Sequence, residues 1–176
     1  MLGLVAEQRR SGLVTSLMGI FQSMPIIGPD PSCLGAKEQK NRLNIPVVLV
    51  AAVALIDVDG RILMAQRPEG KQMSGLWEFP GGKIEEGETP EVALIRELKE
   101  ELGIDITESC LAPFSFVSHD YDDFHLFMAL YLCRVWKGTP FPKEQQKLKW
   151  LRLEHFNDYS MPPADVPLVA MLKEFL

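Results

Sequence analysis

The sequence predicts an α+β fold. Three observations carry that expectation: several short apolar or β-branched segments read as strands, only two segments repeat apolar residues at helical spacing, and the composition supports a real core. The chain has 176 residues, of which 47% are hydrophobic and 24% charged, the range of one globular domain. Mixed strands enclosing a core, with few helices, is the expected architecture.

At the start of the chain, residues from Met1 to about Leu43 stand apart as an N-terminal extension. Arg9-Arg10 and the apolar run Leu13 to Ile20 superficially suggest a signal peptide, but Thr15, Ser16 and Gly19 break the run, and Pro25, Pro29 and Pro31 interrupt any continuing element. A loosely ordered extension is expected, with a targeting or docking segment as the alternative. Residues 44–176 form the compact unit. Val47 to Ile56 reads as a central strand, Asp57-Val58-Asp59-Gly60 as a turn, and Arg61 to Arg67 as the returning strand of a hairpin. Pro68 to Ser74 is loop, Leu76 to Phe79 is short and aromatic, and Pro80-Gly81-Gly82 breaks regular structure where backbone can approach a ligand. Thr89 as N-cap, Pro90 at the first position and Gly103 as left-handed C-cap frame a helix whose apolar face is Val92, Ile95, Leu98 and Leu102. Leu111 to Val117, Phe124 to Val135 and Leu148 to Leu153 read as strands, and Val166 to Phe175 as a closing helix.

Several function classes are set aside by composition. A net charge of −6 argues against binding a nucleic-acid polymer, although metal ions could still bring polyphosphates to an acidic site. The run Val47 to Ile56 is about half the ~20 residues a membrane helix needs, so no membrane partner is expected. Cys33, Cys110 and Cys133 lack zinc-site spacing and read as reduced thiols of a cytoplasmic protein. His119, His125 and His155 are isolated, without the spacing of a metal pair.

Glu97, Glu100 and Glu101 carry the chemistry. At 100° per residue they fall within about a 100° arc of the helix, away from its apolar stripe, and can converge on one point. Alone they would repel, whereas a hard cation such as Mg²⁺ would reverse that sign. The bland reading is a solvated face in which Arg96 pairs with Glu100. The glycine loop at fixed distance before the helix favours the metal site.

From Gly82 the chain reads five residues, Glu88, seven residues, then Arg96-Glu97-Leu98-Lys99-Glu100-Glu101-Leu102-Gly103-Ile104. This pattern resembles the signature of the Nudix hydrolases. The resemblance implies a mixed β-sheet sandwiched between α-helices and hydrolysis of a phosphoanhydride bond with Mg²⁺, or Mn²⁺, as cofactor. It implies metal ligation by Glu97, Glu100, Glu101 and the Gly81 carbonyl, orientation of the carboxylates by Arg96, and for Glu88 either securing the turn or binding a further metal. Glu144 resembles a further metal-binding or basic glutamate, with Glu101 the other candidate base and a surface loop residue the bland alternative.

Ala65-Gln66-Arg67-Pro68, Leu76-Trp77-Glu78-Phe79-Pro80-Gly81-Gly82-Lys83 and Met161-Pro162-Pro163-Ala164-Asp165 are similar to the MutT-like branch, which hydrolyses oxidised purine nucleoside triphosphates such as 8-oxo-dGTP to the monophosphate and pyrophosphate. By that match Arg67 would contact phosphate or base, Gln72 would lie beside the substrate, Glu78, Phe79, Pro80 and Gly81 would line the nucleotide pocket, and Asp165 would read the base. Trp77 reads as core, and Phe79 as core or stacking platform. Asp165 stands where MutT has an asparagine, and ionised it cannot donate to a purine O6. Phe124 falls where MutT has an arginine. The same segments also resemble a branch hydrolysing CTP and modified dCTP, and a non-catalytic nucleotide sensor is the alternative of another class. A nucleoside triphosphate is the expected partner, and a monomer or homodimer the expected state.

Overall fold

A computed structural model of the protein describes residues 45–176, and the expected N-terminal extension lies outside the described residues. Seven strands and two α-helices make up this part: β1 (Val47–Leu55), β2 (Ile62–Gln66), β3 (Trp77–Glu78), β4 (Gly81–Lys83), α1 (Pro90–Leu102), β5 (Leu111–Asp120), β6 (His125–Cys133), β7 (Lys147–Leu151) and α2 (Asp165–Phe175). They form a four-stranded sheet in the order β4-β1-β6-β5 and a three-stranded sheet in the order β3-β2-β7. The larger sheet is mixed, since β1 runs parallel to β6 and antiparallel to β4.

β1 is the centre because both its faces are apolar. Ala52, Ala54 and Ile56 enter one core cluster together with Phe156 and with Leu168 and Leu172 of α2. Ala51, Val53 and Leu55 enter a second with Leu94, Leu98 and Leu102 of α1. The period of two along a strand distributes these residues between the two clusters, so one short segment holds both layers together. The sheet therefore lies between α1 and α2, as the resemblance implied.

Three expectations are corrected by long-range packing. The turn at Asp57–Gly60 forms, with Gly60 at φ +73°, but β1 and β2 do not make a hairpin. They diverge into different sheets after one bridge, Ile56 to Ile62, because β1 finds its neighbours in β4 and β6. Of Pro80-Gly81-Gly82, expected as a break, the two glycines lie in a strand, Gly81–Lys83, paired to β1. The buried face of α1 is Ala93, Leu94, Leu98 and Leu102, while Val92 is 40% exposed. The i, i+4 row Leu94-Leu98-Leu102 meets the sheet, which turns Val92 to the edge.

The helix ends agree with the sequence. Thr89 Oγ1 accepts the Val92 N–H at 3.3 Å, and Gly103 closes the helix at φ +68°. Trp77 is partly buried against Tyr159, edge to face at 5.4 Å, and Phe79 is buried beside Phe156.

Candidate active site

Pairing of β4 with β1 places the glycine loop directly beside α1. Gly81 lies opposite Ala52 at φ +149°, where a Cβ would run into the Ala51 carbonyl. A Cβ on Gly82 would run into the Glu97 carboxylate. Only glycines let strand backbone and helix carboxylate come this close.

Arg96 organises the acidic groups around that contact. Its Nε and Nη2 each donate to Glu88 at 2.8 Å, Nη1 donates to Glu97 at 2.8 Å and to Glu100 at 3.5 Å, and Nη2 also donates to the Lys83 carbonyl at 3.2 Å. A planar guanidinium with five donors can hold several oxygens in fixed directions, which a lysine could not. Glu88 Oε2 in turn accepts the Glu85 N–H at 3.0 Å, securing the turn. The bonds from Arg96 and then Glu85 lower the Glu88 carboxyl to about 2, and Arg96 itself is held further above its ordinary value by Glu88 and Glu97.

Glu101 lies in the opposite electrostatic setting. Burial first, and then the charges of Glu97, Glu144 and Glu78, push its carboxyl up to about 8. Its main-chain carbonyl accepts the Gln146 side chain at 2.9 Å, and Gln146 accepts the Glu144 N–H at 2.7 Å, which brings the loop before β7 against the end of α1. Glu144 itself meets Lys71 across the cleft at 3.0 Å.

The expected convergence of Glu97, Glu100 and Glu101 on one point is not what the side chains adopt. Among the described residues no three acidic, histidine or cysteine side chains stand close enough together to hold one ion. Arg96 takes Glu97, and Glu100 is 58% exposed and only loosely tethered, as mutual repulsion favours. The donor set nevertheless fits a hard divalent cation. All its groups are oxygens, Gly82 leaves the Glu97 carboxylate pressed against the loop, and Glu101 carries the excess negative field a cation would offset.

A cleft of about 710 Å³ runs beside these groups. Arg67, Gln72, Glu78, Phe79, Gly81, Glu101, Glu144 and Asp165 all line it, so most of the expected site meets in one place. Arg67 Nε pairs with Glu78 at 2.6 Å and its Nη1 donates to the Gln72 carbonyl at 2.9 Å. Burial raises the Glu78 carboxyl, and Arg67 opposes the shift. Asp165, 4% exposed at the start of α2, accepts the Phe79 N–H at 3.5 Å. Burial, and then the charge of Glu78, push it up to about 7. Pro80, Arg96, Glu97 and Glu100 stand outside the lining. Pro80 instead gives its carbonyl to Val53 at 2.9 Å, fixing the loop to β1.

Lys71 and Tyr121 also line the cleft and escaped the sequence reading. Lys71 lies in a loop with no regular period. Tyr121 lies just beyond Asp120, where β5 continues past the expected end at Val117. Its ring stacks on Phe124 at 4.7 Å. Adjacent aromatics between two strands were the available signal for that wall.

The NUDIX domain family matches residues 51–171. An 8-oxo-dGTP diphosphatase of Escherichia coli strain K12 is 39% identical over 71% of this chain and 96% of its own length. A CTP pyrophosphohydrolase of the same organism is 39% identical over 69% of this chain and 89% of its own. A solved MutT structure, from work on Aliivibrio salmonicida and Vibrio cholerae, superposes with a TM-score of 0.62 at 34% identity, covering 73% of this chain and 99% of that one.

Proposed function

The chain belongs to the NUDIX family as a MutT-like hydrolase acting on phosphoanhydride bonds, and from that premise we propose that it converts 8-oxo-dGTP and related oxidised purine nucleoside triphosphates to the monophosphate and pyrophosphate. The observation that carries this reading is that one cleft gathers both halves of the site. It is lined by the acidic groups Glu101 and Glu144 and by the buried pocket of Phe79 and Asp165, and the charge of Glu78 acts on both Glu101 and Asp165. A polyphosphate and its base can occupy such a cleft together.

NUDIX hydrolases need a divalent metal, and we assign Mg²⁺, with Mn²⁺ as a substitute. Glu97, Glu100, Glu101 and the Gly81 carbonyl would hold it, with Glu144 as a further ligand. When bound, such an ion neutralises charge on phosphate oxygens and lowers the pKa of a coordinated water. Arg96 keeps Glu97 and Glu88 in position, and Glu101 or Glu144 accepts the proton from the attacking water. Arg67, braced by Glu78 and Gln72, faces the phosphates or base, and Phe79 and Asp165 shape the base pocket, with Pro80 fixing the loop behind it to β1. Nucleotide-pool sanitation by a cytoplasmic monomer or homodimer is the corresponding role.

One observation favours a second reading: the CTP pyrophosphohydrolase relative is 39% identical, the same figure as the 8-oxo-dGTP diphosphatase of the same organism. An ionised Asp165 accepts hydrogen bonds, which suits the exocyclic amine of cytosine and hence CTP or modified dCTP, whereas only a protonated Asp165 donates to a purine O6. The test is pyrophosphate release with Mg²⁺ from 8-oxo-dGTP, dGTP, CTP and 5-methyl-dCTP. The highest kcat/KM is expected with 8-oxo-dGTP. Preference for the cytosine nucleotides would replace the first reading by the second, and no turnover of any would overturn both.

A further inference from the structure

Lys71 is a cation set among the carboxylates of the cleft. It sits in the loop from Arg67 to Leu76, whose neck is closed by two backbone bonds, Arg67 N–H to the Leu76 carbonyl and Gly75 N–H to the Arg67 carbonyl, both 3.0 Å. Arg67 Nη1 on the Gln72 carbonyl and Ser74 N–H on the Lys71 carbonyl, at 2.9 and 3.1 Å, brace its interior. The facing loop is lashed to the end of α1. Lys143 N–H and Gln146 Nε2 both donate to the Glu101 carbonyl, at 3.0 and 2.9 Å. Between these two fastened loops runs the ion pair Lys71 Nζ to Glu144 Oε2 at 3.0 Å.

The pair is built to exchange. Its side chains are 57% and 46% exposed, so water screens it and little free energy opposes its opening. Arg67 is held more firmly: its guanidinium grips Glu78, a carboxylate shielded more than Glu144. An ammonium offers three donors and a compact charge, and a pyrophosphate group presents more negative charge than one carboxylate.

We propose that Lys71 is a substrate-binding residue for the pyrophosphate portion of the nucleotide, held over the cleft by Glu144 in the free protein and passed from that carboxylate to phosphate oxygens when substrate enters. This deepens the proposed function and rests on its reading that a nucleoside polyphosphate occupies the cleft. Glu144, released in the same event, becomes free for the metal or the attacking water.

The test uses the full chain and inorganic pyrophosphate as the probe, titrated calorimetrically with Mg²⁺ and again in EDTA. Lys71→Met is expected to weaken pyrophosphate binding about tenfold or more, the scale of one charge-assisted hydrogen bond, while Lys71→Arg keeps most of it. In EDTA, Glu144→Gln is expected to tighten binding by a few fold at most, the scale of a screened surface pair, and most of that gain should vanish when Lys71→Met is added. In turnover, Lys71→Met raises KM more than it lowers kcat. Unchanged pyrophosphate affinity in Lys71→Met, with only a lower melting temperature, would reduce Lys71 to a loop brace and overturn the proposal. Persistence of the Glu144→Gln gain in the double variant would overturn it as well. Failure to hydrolyse any nucleotide would sink the proposed function, while the pyrophosphate titration still decides the role of Lys71.

Discussion

Glu88 and Asp165 are both carboxylates removed in part from water, yet they are driven in opposite directions. Glu88 receives two bonds from Arg96 and one from the Glu85 backbone, and is lowered to about 2. Asp165 receives one long bond from Phe79, has Glu78 rather than a cation as its strongest charged neighbour, and is raised to about 7. The contrast teaches that the end of the cleft near α1 is a frame in which Arg96 holds several carboxylates in fixed geometry. The pocket at the start of α2 keeps a carboxyl poised between donor and acceptor. Glu101 lies near the frame but is raised to about 8, first by burial and then by the charges of Glu97, Glu144 and Glu78, while Arg96 bonds to Glu88 and Glu97 instead.

The largest effect is expected where the frame meets the substrate. Glu101→Gln removes a proposed metal ligand and candidate base, and kcat should fall by about 10²- to 10⁴-fold at unchanged folding cooperativity. A variant retaining near-normal kcat would detach Glu101 from the chemistry.

Next comes the pocket. Because Asp165 is raised from 3.8 to about 7 in the folded protein, ionising it in place costs stability that is lost progressively as pH rises from about 4 to 7. The full penalty, about 4 kcal/mol at most, applies by pH 8. Asp165→Asn should therefore melt higher than the parent at pH 8, with the gap closing toward pH 4, and should shift base preference. Melting curves that stay parallel from pH 4 to 8 would erase the contrast with Glu88.

A smaller effect sharpens the frame. Gly82→Ala drives a Cβ into the Glu97 carboxylate and should lower kcat by up to about 10²-fold through misplacement alone, leaving the pH dependence of stability set by Asp165 intact. Full activity in this variant would show that Glu97 needs no fixed position. Smallest is Thr89→Ala, which removes the cap at the start of α1 and should cost about 1 kcal/mol in urea unfolding, with base preference unaltered. A changed preference would mean the two regions are coupled through α1.

The frame was legible along the chain because its parts are local. Thr89, Pro90 and Gly103 mark the limits of α1 within one stretch, and the spacing of Arg96, Glu97, Glu100 and Glu101 is a property of a helix however it packs. Arg67, Gln72, Glu78, Phe79 and Asp165 were reached through resemblance, and the cleft gathers all five. Lys71 was not legible, since its partner Glu144 is far along the chain and neither loop has a period. The face of α1 was misread at Val92 for a similar reason: helical period gives a stripe, but the sheet chooses which row of the stripe it covers.

By itself, then, the sequence determined the α+β class, the bounds of α1, the acidic set it carries and the family, because caps, turns and i, i+4 spacing are short-range chemistry. Tertiary structure decided that β1 pairs with β4 and β6 rather than β2, that the glycine loop is a strand against Glu97, and which carboxyls are pushed above their ordinary range. Those outcomes depend on partners distant in sequence and on exclusion from water, and neither quantity exists until the chain has folded.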